Sequence, residues 1–252
     1  MSTNMNTHEK NSGVMDATYA QERRHRAHVR FRYEVRAALA VNAFHARQGY
    51  QDRYRVLELG VAEGKTLLQI RHLLGGKGTF VGVELSDELL AEAPPLPEDT
   101  RLIKGNVMDL PTELEAGTFD LVAVLAVLEH LSDPGAALRE AYRMLRPNGV
   151  VVATCPHPLW DDIAGKLRMV AEEFHESALG RARMIQLAKD AGFSDVAFEP
   201  FMWAPVGVLP YFGLRVPAEL ALRIDRIVQR APLLGLGFVN QSLVARKAGD
   251  SA

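Results

Sequence analysis

The chain has 252 residues, 48% of them hydrophobic, and 29 basic against 31 acidic side chains leave a net charge of −2. That is enough for one large α/β core with appendages, and the charge balance gives no global case for a nucleic-acid partner. The single cysteine, Cys155, excludes an internal disulfide and a cysteine-cluster metal site, and fits a cytoplasmic location.

Residues 1–14 are rich in Ser, Thr and Asn and read as a disordered tail without an apolar core of signal-peptide length. Residues 15–50 read as a helical segment, from Thr18 to about Arg47. It carries Arg23, Arg24, Arg26, Arg30, Arg32 and Arg36 with His25 and His28, opposed only by Glu22 and Glu34. This stretch is either a solvated face, a patch for RNA or acidic lipid, or a cover over a pocket.

Val56-Leu57-Glu58-Leu59 then reads as a strand, followed by the small-residue turn Gly60-Val61-Ala62-Glu63-Gly64 and a helical pattern through Leu67, Leu68, Ile70, Leu73 and Leu74. A turn without bulky side chains lets a ligand approach the backbone at the C-terminal edge of a parallel sheet. A phosphate-binding P-loop is excluded, because only three residues separate Gly60 from Gly64-Lys65-Thr66. The dinucleotide fingerprint GxGxxG is excluded by the spacing Gly60-x-Ala62-x-Gly64. The remaining pattern, Glu-x-Gly-x-Ala-x-Gly, resembles the first motif of class I S-adenosylmethionine (AdoMet) methyltransferases.

The following elements keep to that resemblance in order and spacing. Phe80-Val81-Gly82-Val83-Glu84 reads as a second strand, and its terminal acid lies twenty residues after Gly64. A doubly wound fold places there the carboxylate that accepts from a ribose diol. The plainer reading of Glu84 is a solvated strand end. Leu102 to Pro111 is similar to the family's Gly-Asp-Ala-x-x-Leu-Pro segment, with Asn106 where Asp is usual; Asp109 lies three positions late. Phe119–Val124 is a fourth strand running into Leu128-Glu129-His130-Leu131. Ser132-Asp133-Pro134 supplies a cap and a first-turn proline. A helix over 135–145 follows, Arg146-Pro147-Asn148-Gly149 closes it with a glycine stop, and Val150–Thr154 is a fifth strand.

The resemblance covers residues 54–155 and implies a Rossmann-like, doubly wound α/β fold. Its sheet has seven strands, mostly parallel with an antiparallel last strand, and adds N-terminal helices and a lid. The methyltransferase domain is expected over 51–247, with a lid at 156–178, an insertion at 204–237 and a tail at 248–252. The lid begins at Pro156-His157-Pro158-Leu159-Trp160 and continues as an amphipathic helix near Ile163 to Phe174. Further elements are a helix from Ala182 to Ala191, strands at Val196–Trp203 and Phe238–Lys247, and a helix near Ala218–Arg230.

By that resemblance the cofactor is AdoMet. Glu58 would accept from its methionyl amino group, directly or through water. Gly60, Ala62 and Gly64 would admit the ligand to the backbone, Glu84 would hold the ribose, and Asn106 would accept from the adenine amino group. Leu125 would act through its main chain. His130 and His157 are the candidate bases, each with an ordinary structural role as the alternative. Glu129 and His130 lack a third ligand, so no metal is expected.

The expected activity is methyl transfer to a small, largely apolar acceptor, at oxygen or carbon rather than nitrogen. Trp160, Trp203, Tyr211 and Phe212 are candidate walls. The alternatives are an RNA methyltransferase using the arginine-rich helix and a non-catalytic AdoMet-fold binding protein. No transmembrane segment is expected, since no run approaches about 18 apolar residues. Arg215, Arg223, Arg226 and Arg230 leave peripheral membrane contact open, and a homodimer is open as well.

Overall fold

A computed structural model describes residues 26–160 and 179–249. The tail at 1–14, Arg23, Arg24, His25 and the expected helix near 163–174 lie outside the described residues. In chain order the elements are α1 (Ala27–Gln48), β1 (Tyr54–Leu59), α2 (Lys65–Leu73), β2 (Gly78–Glu84), α3 (Asp87–Ala91), β3 (Thr100–Lys104) and β4 (Phe119–Leu125). There follow a 3₁₀ turn (Leu128–His130), α4 (Pro134–Met144), β5 (Leu145–Pro156), α5 (Arg181–Asp190) and β6 (Ser194–Trp203). The last are α6 (Ala204–Gly207), a 3₁₀ turn (Leu209–Phe212), α7 (Ala218–Val228), a 3₁₀ turn (Pro232–Gly237) and β7 (Phe238–Arg246).

The seven strands form one sheet in the order β3-β2-β1-β4-β5-β7-β6. The pairs β1–β2, β2–β3, β1–β4 and β4–β5 are parallel, while β7 runs antiparallel to both β5 and β6. The period-2 alternation of each strand divides its side chains between two cores. Leu57, Leu59, Val81, Val83, Val122, Val124, Val151 and Ala153 pack beneath α4 and α5. Val56, Phe80, Leu121, Ala123, Val150 and Val152 pack on the other side against Ala37, Val41 and Phe44 of α1 and Leu67 and Ile70 of α2. Helices on both faces explain why these strands read as nearly continuous apolar runs.

The chain leaves β1 for β2 and β3 on one side and returns to β4 on the other, so the topological switch point lies between β1 and β4. Ligands of doubly wound sheets bind at that crevice, outside the strand C-termini.

One local expectation is corrected. Residues 146–149 are not a glycine stop for α4. Asp133 caps that helix by accepting from the Ala136 N–H at 3.1 Å, but the helix ends at Met144 and Leu145 is already extended. Leu145 pairs with Phe119, and a register shift follows before Val150 pairs with Leu121. The left-handed residue is Asn148, φ 66°, a residue type that tolerates this region. Gly149 is required for a different reason: a Cβ there would lie 2.9 Å from the Arg146 carbonyl and 3.0 Å from that of Phe119.

A third apolar cluster joins the N-terminal helix to the 204–237 connector. Phe31, Val35 and Ala38 of α1 pack with Phe201, Met202, Val206, Val216, Ala221 and Leu222. Because β6 and β5 both run antiparallel to β7, this connector leaves and re-enters the sheet at the same edge as the β1 and β4 C-termini.

Candidate functional site

The turn after β1 alternates in backbone handedness. Gly60, Ala62 and Gly64 have φ of 72°, 50° and 88°. The spacing Gly-x-Ala-x-Gly thus marks three left-handed positions. Glycine meets this without strain, whereas alanine in that region costs roughly 1–2 kcal/mol. The cost at Ala62 is offset by Glu84, whose Oε2 accepts from the Ala62 N–H at 2.9 Å. The Gly60 and Val61 N–H groups donate to the Val83 carbonyl at 2.8 and 3.1 Å. The end of β2 therefore holds the shape of the turn after β1.

Glu84 also accepts through Oε1 from Leu85 N–H at 2.8 Å and Ser86 N–H at 3.0 Å. A carboxylate has about four lone-pair sites, so three backbone donors leave capacity for another hydroxyl donor. The solvated-end reading of Glu84 understates its part: it is the clamp of the turn.

Across the switch point, Ala126 is left-handed at φ 58°, and its N–H donates to Thr154 twice, at 2.9 Å to the carbonyl and 3.1 Å to Oγ1. That bend turns Val127 against the β1 turn. A Cβ at Gly60 would lie 2.4 Å from Val127 Cγ2, so the two walls of the crevice approach at these residues. Leu125 is buried just before the bend, and His130 closes the 3₁₀ turn just after it.

Along the C-terminal edge the expected site residues follow the strand order: Asn106 beyond β3, Glu84 on β2, Gly60 beyond β1, Leu125 and His130 at β4, and His157 beyond β5. Three strand steps from β3 to β4 span about 14 Å. Asn106 Oδ1 accepts from Met108 N–H at 2.9 Å, a local turn that fixes the side chain and leaves its second lone pair. Glu58 is buried within the edge, its main chain level with Gly82 and Ala123 of the flanking strands.

The two histidines are held differently. His157 Nδ1 accepts from Leu159 N–H at 3.3 Å, which engages one of its two ring nitrogens. His130 donates its main-chain N–H to Val127 O at 3.0 Å and is half-buried. Among the described residues, no group of three or more His, Cys, Asp or Glu could hold a metal ion.

Several participants were invisible in the linear pattern. Glu63 is fully buried, with Lys65 Nζ 3.4 Å from its Oε1; a buried glutamate requires pairing, and the sequence carried only the adjacency of the charges. Gln241, inside β7, donates through Nε2 to the Pro156 carbonyl at 3.0 Å and the Leu179 carbonyl at 2.5 Å. It ties together the two ends of the segment that leaves β5 and returns to α5. Trp160 Nε1 donates to the Leu236 carbonyl at 2.8 Å, joining that segment to the connector. Of the other expected walls, Phe212 is 80% exposed. Tyr211 is stacked on His28 with centroids 4.0 Å apart and accepts from Arg32 at 2.7 Å. A separate cleft of about 380 Å³ lined by His45, Tyr50, Tyr54 and Lys77 opens at the opposite sheet edge, away from every one of these residues.

A doubly wound sheet with a glycine turn at its switch point and an acid closing its second strand defines an α/β domain of the class I methyltransferase kind. Comparison with known proteins gives the same result. Residues 57–153 match the family model described as a methyltransferase domain. Over these residues the chain is similar to SAM-dependent methyltransferase domains, whose cofactor is AdoMet. It is 28% identical over 209 residues to an uncharacterised 37.1 kDa protein in transposon Tn4556 of Streptomyces fradiae, covering 79% of this chain and 57% of that one. It is 28% identical over 107 residues to a demethylmenaquinone methyltransferase of Staphylococcus aureus, covering 41% of this chain and 44% of that one. The chain thus spans about half the length of these curated relatives. Among solved structures, phosphoethanolamine N-methyltransferase 2 of Haemonchus contortus in complex with AdoMet superposes with a TM-score of 0.60 at 16% identity, covering 94% of this chain and 61% of that one.

The residues present fit the cofactor. The turn has small residues at the crevice, the Glu84 carboxylate has spare acceptor capacity where a ribose is expected, and a buried carboxylate, Glu58, lies at the crevice edge. Glu84→Ala is expected to weaken AdoMet binding about 10–100-fold, one or two charge-assisted hydrogen bonds. Glu84→Gln keeps one acceptor oxygen for the turn but sets an NH2 group against the remaining N–H donors, so it should recover only part of the thermal stability. Calorimetry giving equal affinity for wild type and Glu84→Ala would reduce Glu84 to a clamp of the backbone alone.

Proposed function

We propose that this protein transfers the AdoMet methyl group to a small, largely apolar acceptor, at oxygen or carbon rather than nitrogen. The observation that carries this reading is the order of groups along the sheet edge. Asn106, Glu84 and the Gly60 turn lie over β3, β2 and β1 in the order in which adenine, ribose and methionyl groups would be held. The acceptor side then falls beyond β4 and β5, where His130 and His157 stand. That side is flanked by Pro156–Trp160 and the 204–237 connector, joined through Trp160 and Leu236. The demethylmenaquinone methyltransferase among the relatives accords with an acceptor of this apolar class.

AdoMet, when bound, supplies an activated methyl on sulfonium, so alignment contributes much of the rate. The chain's own groups bind and orient. The left-handed turn of small residues lets the ligand approach the main chain, and Glu84 keeps it in that shape. Val127 narrows the crevice at Gly60. His130 is the base for a hydroxyl or carbon acid. His157, with Nδ1 engaged by Leu159, orients the acceptor through its other ring nitrogen. Among the described residues of the arginine-rich helix, Arg32 donates to Tyr211, Arg30 lies 3.9 Å from Glu34, and Phe31 and Val35 are buried, which supports the small-molecule reading over RNA.

The test is a transfer assay with methyl-labelled AdoMet against phenolic, quinol, activated-carbon and amine acceptors, with an RNA pool as the competing class. His130→Ala should lower kcat about 10²–10⁴-fold on a hydroxyl or carbon acceptor, with AdoMet affinity unchanged. His157→Ala should act mainly on KM for the acceptor. Transfer to RNA alone, or to amines alone with no effect at His130, would overturn this reading.

A further inference from the structure

Exposed apolar side chains are not scattered over this protein. The large hydrophobics exposed among the described residues are Tyr50, Leu85 and Leu159, and then eight within one connector: Val208, Tyr211, Phe212, Leu214, Leu220, Ile227, Leu234 and Leu236. Several stand well clear of the body: Phe212 is 80% exposed, Leu236 72%, Ile227 67% and Leu214 56%. Isolated exposed apolar residues are ordinary, but concentration in one segment marks a surface that meets something apolar.

The same segment is basic. Residues 204–237 contain Arg215, Arg223, Arg226 and Arg230, all exposed, against Glu219 and the buried Asp225, in a chain whose net charge is −2. Glu219 is engaged by Asn42 Nδ2 at 3.2 Å. On α7 the residues turned to the body are Ala221, Leu222, Asp225 and Val228. Helical periodicity puts Leu220 and Ile227 on the opposite face as one ridge, with Arg223 beside it and Arg226 next to it, and Arg230 follows in the turn after the helix. An apolar ridge flanked by arginines, whose aliphatic stems lie along apolar surface while the guanidiniums reach polar groups, is the arrangement of a helix lying in a membrane interface.

We propose that the 204–237 connector docks this protein on an anionic lipid bilayer. The charge distribution decides between a bilayer and a second copy of the chain. A twofold contact sets one patch against itself, and here it would bring four arginines of each copy together against a single exposed acid, Glu219, from each. An anionic headgroup layer satisfies the same arginines, and Phe212, Leu214, Ile227 and Leu236 enter its apolar boundary. No helix of the described residues is long and apolar enough to cross a membrane, so the contact is peripheral. The docking surface starts and ends at the sheet edge that carries the AdoMet crevice, and Trp160 links Leu236 to the segment leaving β5. Given the methyl-transfer reading, the acceptor is then an amphiphile dissolved in the bilayer that reaches the crevice without crossing water.

The test is vesicle co-sedimentation of the full chain. The expected result is binding to phosphatidylcholine vesicles containing about 30% phosphatidylglycerol, weak binding to phosphatidylcholine alone, and a marked fall at about 0.5 M salt. Ile227→Ser with Leu236→Ser, and separately Arg223→Glu with Arg226→Glu and Arg230→Glu, should each lower the partition coefficient at least about tenfold. Both variants should keep wild-type AdoMet affinity and thermal stability, because these side chains point away from the core. Absence of binding to anionic vesicles overturns the proposal, as does binding that neither variant changes. So does a concentration-dependent dimer in ultracentrifugation that Ile227→Ser with Leu236→Ser dissolves. Vesicle binding without methyl transfer to any acceptor would retain the docking surface and refute the catalytic reading; transfer without vesicle binding would do the reverse.

Discussion

Gly60→Ala is expected to lose measurable AdoMet binding and to destabilise the fold. Two effects combine. The position is left-handed at φ 72°, which costs a non-glycine residue roughly 1–2 kcal/mol. The new Cβ would also lie 2.4 Å from Val127 Cγ2 and 3.0 Å from Cγ1, and overpacking of this kind costs typically about 1–3 kcal/mol. The overlap sits between the two walls of the crevice, so relief by movement would shift the turn away from the β4 side. Val127→Ala removes both offending methyls and separates the two effects. In the double variant, thermal stability should return by about 1–3 kcal/mol while AdoMet affinity stays low, because the Cβ still stands on the turn that, on the proposed reading, the cofactor approaches through its backbone. Affinity that returns together with stability would make Gly60 a packing residue and remove it from the cofactor site.

Asp225→Ala should be the most destabilising single change in the connector. Asp225 is 2% exposed, and its two oxygens accept from Met202 N–H at 2.7 Å and Trp203 N–H at 2.9 Å. Met202 is left-handed at φ 61°, so the carboxylate holds a strained bend where β6 gives way to α6. Two charge-assisted bonds lost, with their buried donors left behind, amount to about 3–5 kcal/mol, or roughly 10 °C or more in Tm for a chain of this size. Thermal unfolding followed by circular dichroism measures it, and a change under about 1 kcal/mol would show that the bend holds without the carboxylate. Burial pushes the Asp225 carboxyl above the ordinary aspartate value of 3.8, against the pull of the two N–H donors. The folded state therefore keeps the proton more readily than the unfolded chain, and this group's contribution falls as pH rises above 3.8 through the folded value. The advantage of wild type over Asp225→Asn should accordingly be larger near pH 4 than near pH 7, the other carboxylates being common to both.

The parts of this protein that can be read from its sequence are those where local chemistry and the tertiary requirement coincide. The β1 turn is one. Its small residues announce a tight bend, and the acid at the end of β2 falls at the spacing of a doubly wound fold. The parallel strands follow from the same alternation of apolar runs and helical patterns, whereas the antiparallel last strand was implied by the family resemblance and the strand order is seen only in the structure. Residues 146–149 were misread because a proline, an asparagine and a glycine in a row look like a helix stop. The bulge opposite Phe119 demanded them instead, and only the neighbouring strand carries that information. The chemistry of Asp225 and Gln241 was likewise hidden. Each acts on main-chain groups more than twenty residues away, a relation to which hydrophobic periodicity is blind. The double role of Glu84 was half legible: its position suggested a ligand, but its grip on Ala62 depends on the turn's handedness.

Gln241 has a consequence for how this protein can change. One side-chain amide, set in a buried strand, gathers the carbonyls of Pro156 and Leu179 to the same point. The chain between them is thereby closed at its neck, and its length is decoupled from the sheet. Closure entropy grows only logarithmically, so a chain twice as long between the same two anchors costs about 0.6 kcal/mol more. Residues can be exchanged, added or removed between those two anchors while the strands, the β1 turn and Glu84 stay as they are. Chains that differ in length between the two anchors can therefore keep the same pairing of β5 with β7.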